Sequence, residues 1–276
     1  MHEMKSKRPL DVCVISDLHL GTYGCHAKQL NSYLKSIEPK TLVLNGDIID
    51  IWNFRKRYFP KDHLKVVRTI LKMAAAGVDV HYITGNHDEA LRRFSSTVIG
   101  KIQLSNKLVL KLDGKKVWIF HGDIFDRSIQ GAKILAKIGG WGYDFLILSN
   151  RFLNDVLTAL GREKHSFSKM VKDRVKQAVK FIGDFEQVAA ELAITKGYDA
   201  VICGHIHQPQ IREVVSTNGS TMYMNSGDWV ENLTSLEYID KKWQLFTFPQ
   251  SKTLSLDDGD DEVFDHDLLE ELTKAV

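Results

Sequence analysis

Five short segments of this 276-residue chain gather side chains of the kinds that bind divalent metals. They are Ser16-Asp17-Leu18-His19, Gly46-Asp47-Ile48-Ile49-Asp50, Gly85-Asn86-His87-Asp88, His121-Gly122-Asp123 and Gly204-His205-Ile206-His207. Each follows a short apolar run, and most contain a glycine, which lets backbone pass close to a neighbour. A single D-x-H or H-x-H is more often a turn than a site, and His81 and His165 are read that way. Five such segments at strand ends are different, because functional groups of open α/β folds collect at the carboxyl ends of the strands.

The donors are carboxylate, imidazole and amide, with no thiolate. That set suits Mn²⁺, Fe²⁺ or Zn²⁺, and its wealth of imidazole argues against Ca²⁺. Seven ligands of these kinds are too many for one catalytic ion that must keep an open position. They suit two ions sharing a carboxylate. Two divalent ions roughly 3.5–4 Å apart clamp a phosphoryl group and supply a nucleophile near neutral pH. Phosphate esters resist hydrolysis because their negative charge repels a nucleophile, so neutralising that charge is the main catalytic need. Mn²⁺ is the expected metal, with Fe²⁺ and Zn²⁺ as alternatives.

The elements that must place these groups are visible in the hydrophobic pattern. Asp11–Ile15, Thr41–Asn45 and Val78–Ile83 read as buried strands, alternating with helical periodicity over His26–Ile37 and Lys61–Ala76, the second closed by Gly77. That β-α-β-α-β order predicts right-handed crossovers and a largely parallel sheet. Lys107–Leu112 and Lys115–Phe120, split by Asp113-Gly114, predict a hairpin. Further strands are expected at Asp199–Cys203, Gln210–Val215, Thr221–Asn225, Ser235–Ile239 and Trp243–Phe248, with turns at Asn218-Gly219 and Asp240-Lys241. Two facing sheets flanked by helices fit this order.

Residues 127–184 differ in character. They show helical patterns, one over Asp144–Leu160, interrupted upstream by Gly139-Gly140-Trp141-Gly142, and hold eleven Lys and Arg against five acids. They read as a basic helical insertion on a core of 1–126 and 185–249; helices simply covering a sheet face are the alternative. Residues 250–276 carry nine acids against Lys252 and Lys274, a charge of −7, which leaves +9 on the rest of a chain whose net charge is +2. This tail is expected to be flexible or a short helix over Phe264–Leu272. A basic body points to an anionic partner: nucleotide, phospholipid surface or nucleic acid. The composition, 43% hydrophobic and 26% charged, excludes a disordered or fibrous chain, and no apolar run reaches membrane-spanning length. Cys13, Cys25 and Cys203 cannot form a paired framework and are expected to be free thiols. With no secretion signal expected at the N-terminus, the chain is expected to be cytoplasmic, with a peripheral position on the inner membrane face as the alternative.

In this order, D-x-H, G-D-x-x-D, G-N-H-D, H-G-D and G-H-x-H resemble the calcineurin-like metallophosphoesterase superfamily over most of Val12–Phe248. The resemblance implies a four-layer α-β-β-α sandwich. It implies that Asp17, His19 and His207 hold one metal, that Asn86, His121 and His205 hold the other, and that Asp47 bridges them. It assigns His87 to the scissile phosphate and leaving oxygen, and Asp50 to orienting His87. In length, helical insertion, single C-terminal G-H-x-H and the Gly227-Asp228-Trp229 segment, the chain is most similar to the UDP-2,3-diacylglucosamine hydrolases of lipid A synthesis. These cleave a nucleotide-linked, doubly acylated sugar pyrophosphate to a lipid monophosphate and UMP. The chain departs from them at His87, where they commonly carry arginine, and at Asp50, where they commonly carry glutamate.

The expected partner is therefore an anionic nucleotide- or lipid-linked phosphate, with membrane contact through the insertion and no nucleic acid. Expected substrate contacts are Asn86, His87, Arg92, Arg93, Arg151, Lys169 and Arg174. Trp141, Tyr143, Phe145, Leu148, Phe152 and Leu157 are candidates for holding acyl chains, with ordinary helix packing as the other reading. A phosphodiesterase or nuclease that needs no lipid is the alternative function. A non-catalytic scaffold would have lost metal ligands, and none is missing.

Overall fold

A computed structural model of the protein describes residues 7–51, 58–127 and 167–249. The strands β1 (Arg8–Ile15), β2 (Ile37–Asn45), β3 (Asp79–Ile83), β4 (Val98–Ile99), β5 (Ile102–Ser105), β11 (Thr234–Ile239) and β12 (Lys242–Thr247) form one sheet, in the order β12-β11-β1-β2-β3-β5-β4. A second sheet, β6-β7-β8-β10-β9, is built from β6 (Leu108–Leu112), β7 (Lys115–Ile119), β8 (Ala200–Cys203), β9 (Gln210–Ser216) and β10 (Gly219–Asn225). The pairs β1–β2, β2–β3 and β3–β5 are parallel, as are β7–β8 and β8–β10, while the outer strands run antiparallel.

Strand periodicity divides the interior into three apolar layers. From β1, Cys13 and Ile15 face helices α1 (Ala27–Ser36) and α2 (Lys61–Ala75), packing with Leu30, Tyr33, Val66 and Ile70. The alternate residues Val12 and Val14 face the second sheet and meet Val117, Ile119, Ile202 and Met224. Trp118, Phe120, Val201 and Tyr223 point the other way, against Phe185, Ala189, Ala190 and Ala193 of helix α3 (Phe167–Thr195). Residues that alternate but are apolar on both sides are the mark of strands buried on both faces. The result is the expected α-β-β-α sandwich.

Several details depart from the expectation. The first strand begins at Arg8 and the second at Ile37, directly after α1, because Arg8, Pro9 and Leu10 pair with Ile37, Glu38 and Pro39. The short strands β4 and β5 extend the first sheet beyond β3, where no strand was expected. The β9–β10 hairpin turns one residue earlier than Asn218-Gly219, since Ser216 pairs with Gly219. The turns at Asp113-Gly114 and Asp240-Lys241 are where they were expected, each with positive φ at both residues, as the tight hairpin turn requires. Helix α3 runs unbroken through position 184. The candidate helix over Asp144–Leu160, the glycine-rich interruption, the acyl-chain candidates between 141 and 157, Arg151 and residues 250–276 lie outside the described residues. Cys13 and Cys203 are buried and Cys25 is half-buried, all free. Among the described residues no helix is long and apolar enough to cross a membrane.

Candidate metal centre

The loops after β1 and β2 are zipped together by backbone. Asp17 N–H donates to the Gly46 carbonyl at 3.0 Å, His19 N–H to the Asp47 carbonyl at 3.0 Å, and Leu20 N–H to the Ile48 carbonyl at 2.9 Å. This parallel pairing sets Asp17 and His19 beside Asp47. Asp17, His19, Asp47, His205 and His207 all have positive φ, between 49° and 69°. Such a conformation is costly for a residue with a side chain and clusters at functional sites, where surrounding contacts enforce it.

The third loop is held by Asp88. Its buried carboxylate accepts Gly85 N–H at 2.6 Å, Ile48 N–H at 3.0 Å and the Tyr82 hydroxyl at 2.7 Å. His87 N–H in turn donates to Asp47 Oδ1 at 2.8 Å. Asp47 Oδ2 is left facing His121 Nε2 at 3.2 Å and His87 Nε2 at 4.0 Å. Gly85 is needed here, since a Cβ at this position would strike the Asp47 carboxylate.

The second sheet supplies the opposite wall. His121 is wholly buried, and its Nδ1 lies 2.9 Å from the Asn45 carbonyl, which fixes that nitrogen as the donor and aims Nε2 inward. Asn45 also donates its amide to the Phe120 carbonyl at 3.2 Å, tying the end of β2 in one sheet to the end of β7 in the other. His205 N–H donates to Asp17 Oδ2 at 3.0 Å, and His207 Nε2 lies 3.2 Å from Asp17 Oδ1. A Cβ at Gly204 would come within 2.6 Å of Asp17 Oδ2.

Three sets of donor atoms result, each mutually within 4.8 Å: Asp17, His19 and His207; Asp47, His121 and His205; and His19, Asp50 and His87. The Asp50 carboxylate lies 3.2 Å from His87 Nδ1 and 3.9 Å from His19 Nδ1. Asn86 Oδ1 is buried with no hydrogen-bond partner. A buried amide oxygen without a donor is costly, and a cation satisfies it. The oxygen and nitrogen donors therefore fit hard or borderline divalent ions.

The electrostatics agree. Burial drives the Asp17 carboxyl upward, yet His207 and His121 hold it down at about 2. Asp47 is likewise held well below the carboxylate range, against its burial, by His121 and His19. His207 is drawn up to about 9 by Asp17 despite burial, and His121 is raised by Asp47. His19, dominated by burial, falls to about 4. Two buried carboxylates that stay ionised demand positive charge beside them.

Arg92 donates to the Gly85 carbonyl at 3.3 Å and pairs with Asp123, so it spans the third and fourth loops. The Arg93 guanidinium sits over the Phe94 ring at 4.8 Å. Arg151 and the side chains of Lys169 and Arg174 lie outside the described residues. Sequence reasoning missed Asn45, Tyr82 and Phe185 at this site; the last fills the space left by Gly122, where a Cβ would approach its ring to 2.5 Å.

Comparison with known proteins bears on this arrangement. The family model for Calcineurin-like phosphoesterase matches residues 10–209. The UDP-2,3-diacylglucosamine hydrolase of Aliivibrio fischeri (strain MJ11) is 26% identical over 248 residues, covering 86% of this chain and 98% of that protein. The enzyme of that name from Photorhabdus laumondii is 27% identical, over 85% of this chain and 98% of its own length. Its counterpart in Neisseria meningitidis serogroup B is 28% identical, over 84% and 95%.

Proposed function

From a chain that belongs to the calcineurin-like phosphoesterase family, and is thus a metal-dependent phosphoester hydrolase, we propose a two-metal pyrophosphatase acting on a lipid-linked nucleotide. Its substrate is UDP-2,3-diacylglucosamine or a close relative, cleaved to a lipid monophosphate and UMP. The observation that carries the chemistry is the pair of three-residue donor clusters, linked by the His205 N–H that Asp17 accepts, together with the buried, unpartnered Asn86 oxygen on the loop that His87 N–H ties to Asp47. Asp17, His19 and His207 would hold one ion, Asn86, His121 and His205 would hold the other, and Asp47 would serve both. Two Mn²⁺ ions, once bound, would neutralise phosphoryl charge and lower the pKa of water.

The chain's own residues do the rest. The Asp50 carboxylate lies 3.2 Å from His87 Nδ1, and Nε2 lies on the Asp47 side, 4.0 Å from Oδ2, from where it reaches a substrate oxygen. Burial lowers the affinity of His87 for its proton, but Asp50 and Asp47 together raise it overall. His87 Nε2–H therefore protonates the leaving oxygen, and Asp50 keeps the ring oriented. Asn86 and His87 contact the phosphate, as do Arg93 and the basic residues Arg151, Lys169 and Arg174. Arg92 holds Asp123 and approaches substrate from that position. Residues 127–184 form the insertion that receives the acyl chains and touches the membrane, on a core of residues 1–126 and 185–249; the eleven basic residues in that stretch support this part of the reading.

The lipid-linked substrate draws on the named relatives, which align over nearly their whole lengths. The His87–Asp50 pair, standing where those enzymes commonly carry arginine and glutamate, favours a second reading: a phosphodiesterase that needs no lipid. One assay separates the two. With Mn²⁺ supplied, UDP-2,3-diacylglucosamine, bis(p-nitrophenyl) phosphate and cyclic nucleotides are compared for their phosphorus-containing products. Release of UMP from the lipid substrate at a much higher kcat/KM than the others is the expected result. Efficient turnover of the soluble diesters alone would leave the second reading standing.

A further inference from the structure

The segment from Gly227 to Asn232, between β10 and β11, reaches the backbone of two ligands of the same ion. Trp229 N–H donates to the Asp17 carbonyl at 3.2 Å, and Asn232 Nδ2 donates to the His207 carbonyl at 3.0 Å. Asp17 and His207 each have a φ of 52°, a conformation that a side-chain-bearing residue keeps only when neighbours hold it. The segment is itself rigidly held. Asp228 is wholly buried, and its Oδ1 accepts the backbone N–H groups of Val230, Glu231 and Asn232 at 2.8, 2.5 and 3.2 Å. Its Oδ2 accepts the Asn232 amide at 2.5 Å. The Trp229 ring, fully buried, lies 5.2 Å from that of Tyr33 and anchors the segment in the helix-side core. Both hydrogens of Asn232 Nδ2 are thus committed, one to Asp228 and one to the carbonyl of a metal-ligand residue.

The other half of the centre is held by different groups. Asn45 fixes His121, and Asp88 fixes the loop carrying Asn86. A lesion at Asn232 therefore bears most on the ion of Asp17, His19 and His207, and reaches the other only through His205, which shares the His207 loop and donates its N–H to Asp17.

We propose that Asn232 is a positioning residue for the ion held by Asp17, His19 and His207: its amide, oriented by Asp228, sets the His207 backbone so that the imidazole meets Asp17. The inference rests on the two-ion reading and extends it to a residue outside the metal-ligand motifs. Outer-shell partners of this kind are worth about 10–100-fold in metal affinity. The substitution N232D keeps the size of the side chain and removes both donated hydrogens. The double variant D228N/N232D restores a donor–acceptor pair between the two side chains, yet still turns a carboxylate toward the His207 carbonyl.

The full chain and both variants are titrated with Mn²⁺, reading bound metal per chain, the electron paramagnetic resonance spectrum and the melting temperature. Wild type is expected to bind two ions and give the spectrum of a coupled pair. N232D is expected to give one tightly bound, isolated Mn²⁺, with the second requiring about 10–100-fold more free metal. D228N/N232D is expected to melt near wild type and still to bind its second ion weakly. That combination separates a role at His207 from mere stability of the loop. Two tightly bound, coupled ions in N232D, or full restoration of metal binding in the double variant, would overturn the assignment. So would equal weakening of both ions. A wild-type protein that binds fewer than two ions removes the two-ion reading itself, and this inference with it.

Discussion

The two carboxylate oxygens of Asp47 have different tasks: Oδ1 accepts His87 N–H, while Oδ2 faces His121 from within hydrogen-bonding distance. One side chain thus touches both the loop that carries the proposed acid and the second-sheet histidine. Asp47→Ala is therefore expected to deplete both ions, and metal analysis that still found one tightly bound ion per chain would speak against a shared ligand. His87 is a separate matter, since its Nδ1 is engaged by Asp50 and its backbone N–H, not its ring, holds Asp47. His87→Ala should accordingly retain metal while losing turnover by about 10²–10⁴-fold, the usual worth of a general acid. Normal kcat with normal metal content would remove it from that role. The ligand types and their glycines could be read in the sequence because each sits beside a strand end in a short motif. Asn45, and the loop-holding role of Asp88 within its motif, could not be read in the same way. Their work is done through carbonyls and N–H groups contributed by other loops, and the chain does not mark which carboxylates and amides end up buried.

Between elements, one contact bears on these loops and another on the joining of β1, β11, β12 and α1. Phe185 of α3 is fully buried, stacks edge-on to Phe125 at 5.5 Å and lies 6.2 Å from the His205 ring, with Gly122 leaving room for it. Phe185→Ala opens a cavity beside the H-G-D and G-H-x-H loops, and should cost about 3–5 kcal/mol in chemical unfolding. A loss below about 1 kcal/mol would show that the site collapses without harm. On the other face, Glu237 of β11 accepts Arg8 of β1 at 2.6 and 3.0 Å, Tyr33 of α1 at 2.9 Å and Gln244 of β12 at 3.1 Å. Burial pushes this carboxyl up, but the hydrogen bonds from Arg8 and Tyr33 outweigh it and the net shift is downward. A depressed acid stabilises the fold above its unfolded pKa of about 4.3 and loses that contribution as pH falls through its folded value. Glu237→Gln should therefore flatten the acid limb of the stability–pH curve below about pH 4.3; an unchanged limb would place the acid sensitivity elsewhere. Strands such as Thr41–Asn45 were legible because they are apolar on both faces. The start at Ile37 was not, because Ile37–Pro39 becomes strand through its pairing with Arg8–Leu10 and carries no β pattern of its own.

For the molecule as a whole, the charge distribution is the feature that no single motif explains. The acids of residues 250–276 give −7 and the remainder +9, so a net charge of +2 conceals two opposed regions of one chain. Lipid-linked substrates sit at anionic surfaces, where each basic residue close to the membrane contributes about 1 kcal/mol and the attraction fades over a Debye length. If the basic body is what meets that surface, the acidic tail opposes it, both by repulsion from the lipid and by competing for the same basic groups. A chain ending at Pro249 should then bind vesicles containing anionic lipid more tightly than the full chain, and with a steeper dependence on salt. The gap should close near 1 M salt, where the Debye length is about 3 Å, and be absent on neutral vesicles. Sedimentation of both proteins with vesicles across a salt series measures all three effects. Equal binding by the two chains at low salt would show that the tail's charge is indifferent to the membrane. Its purpose would then have to be sought in solubility or in charge balance with the basic residues of 127–184.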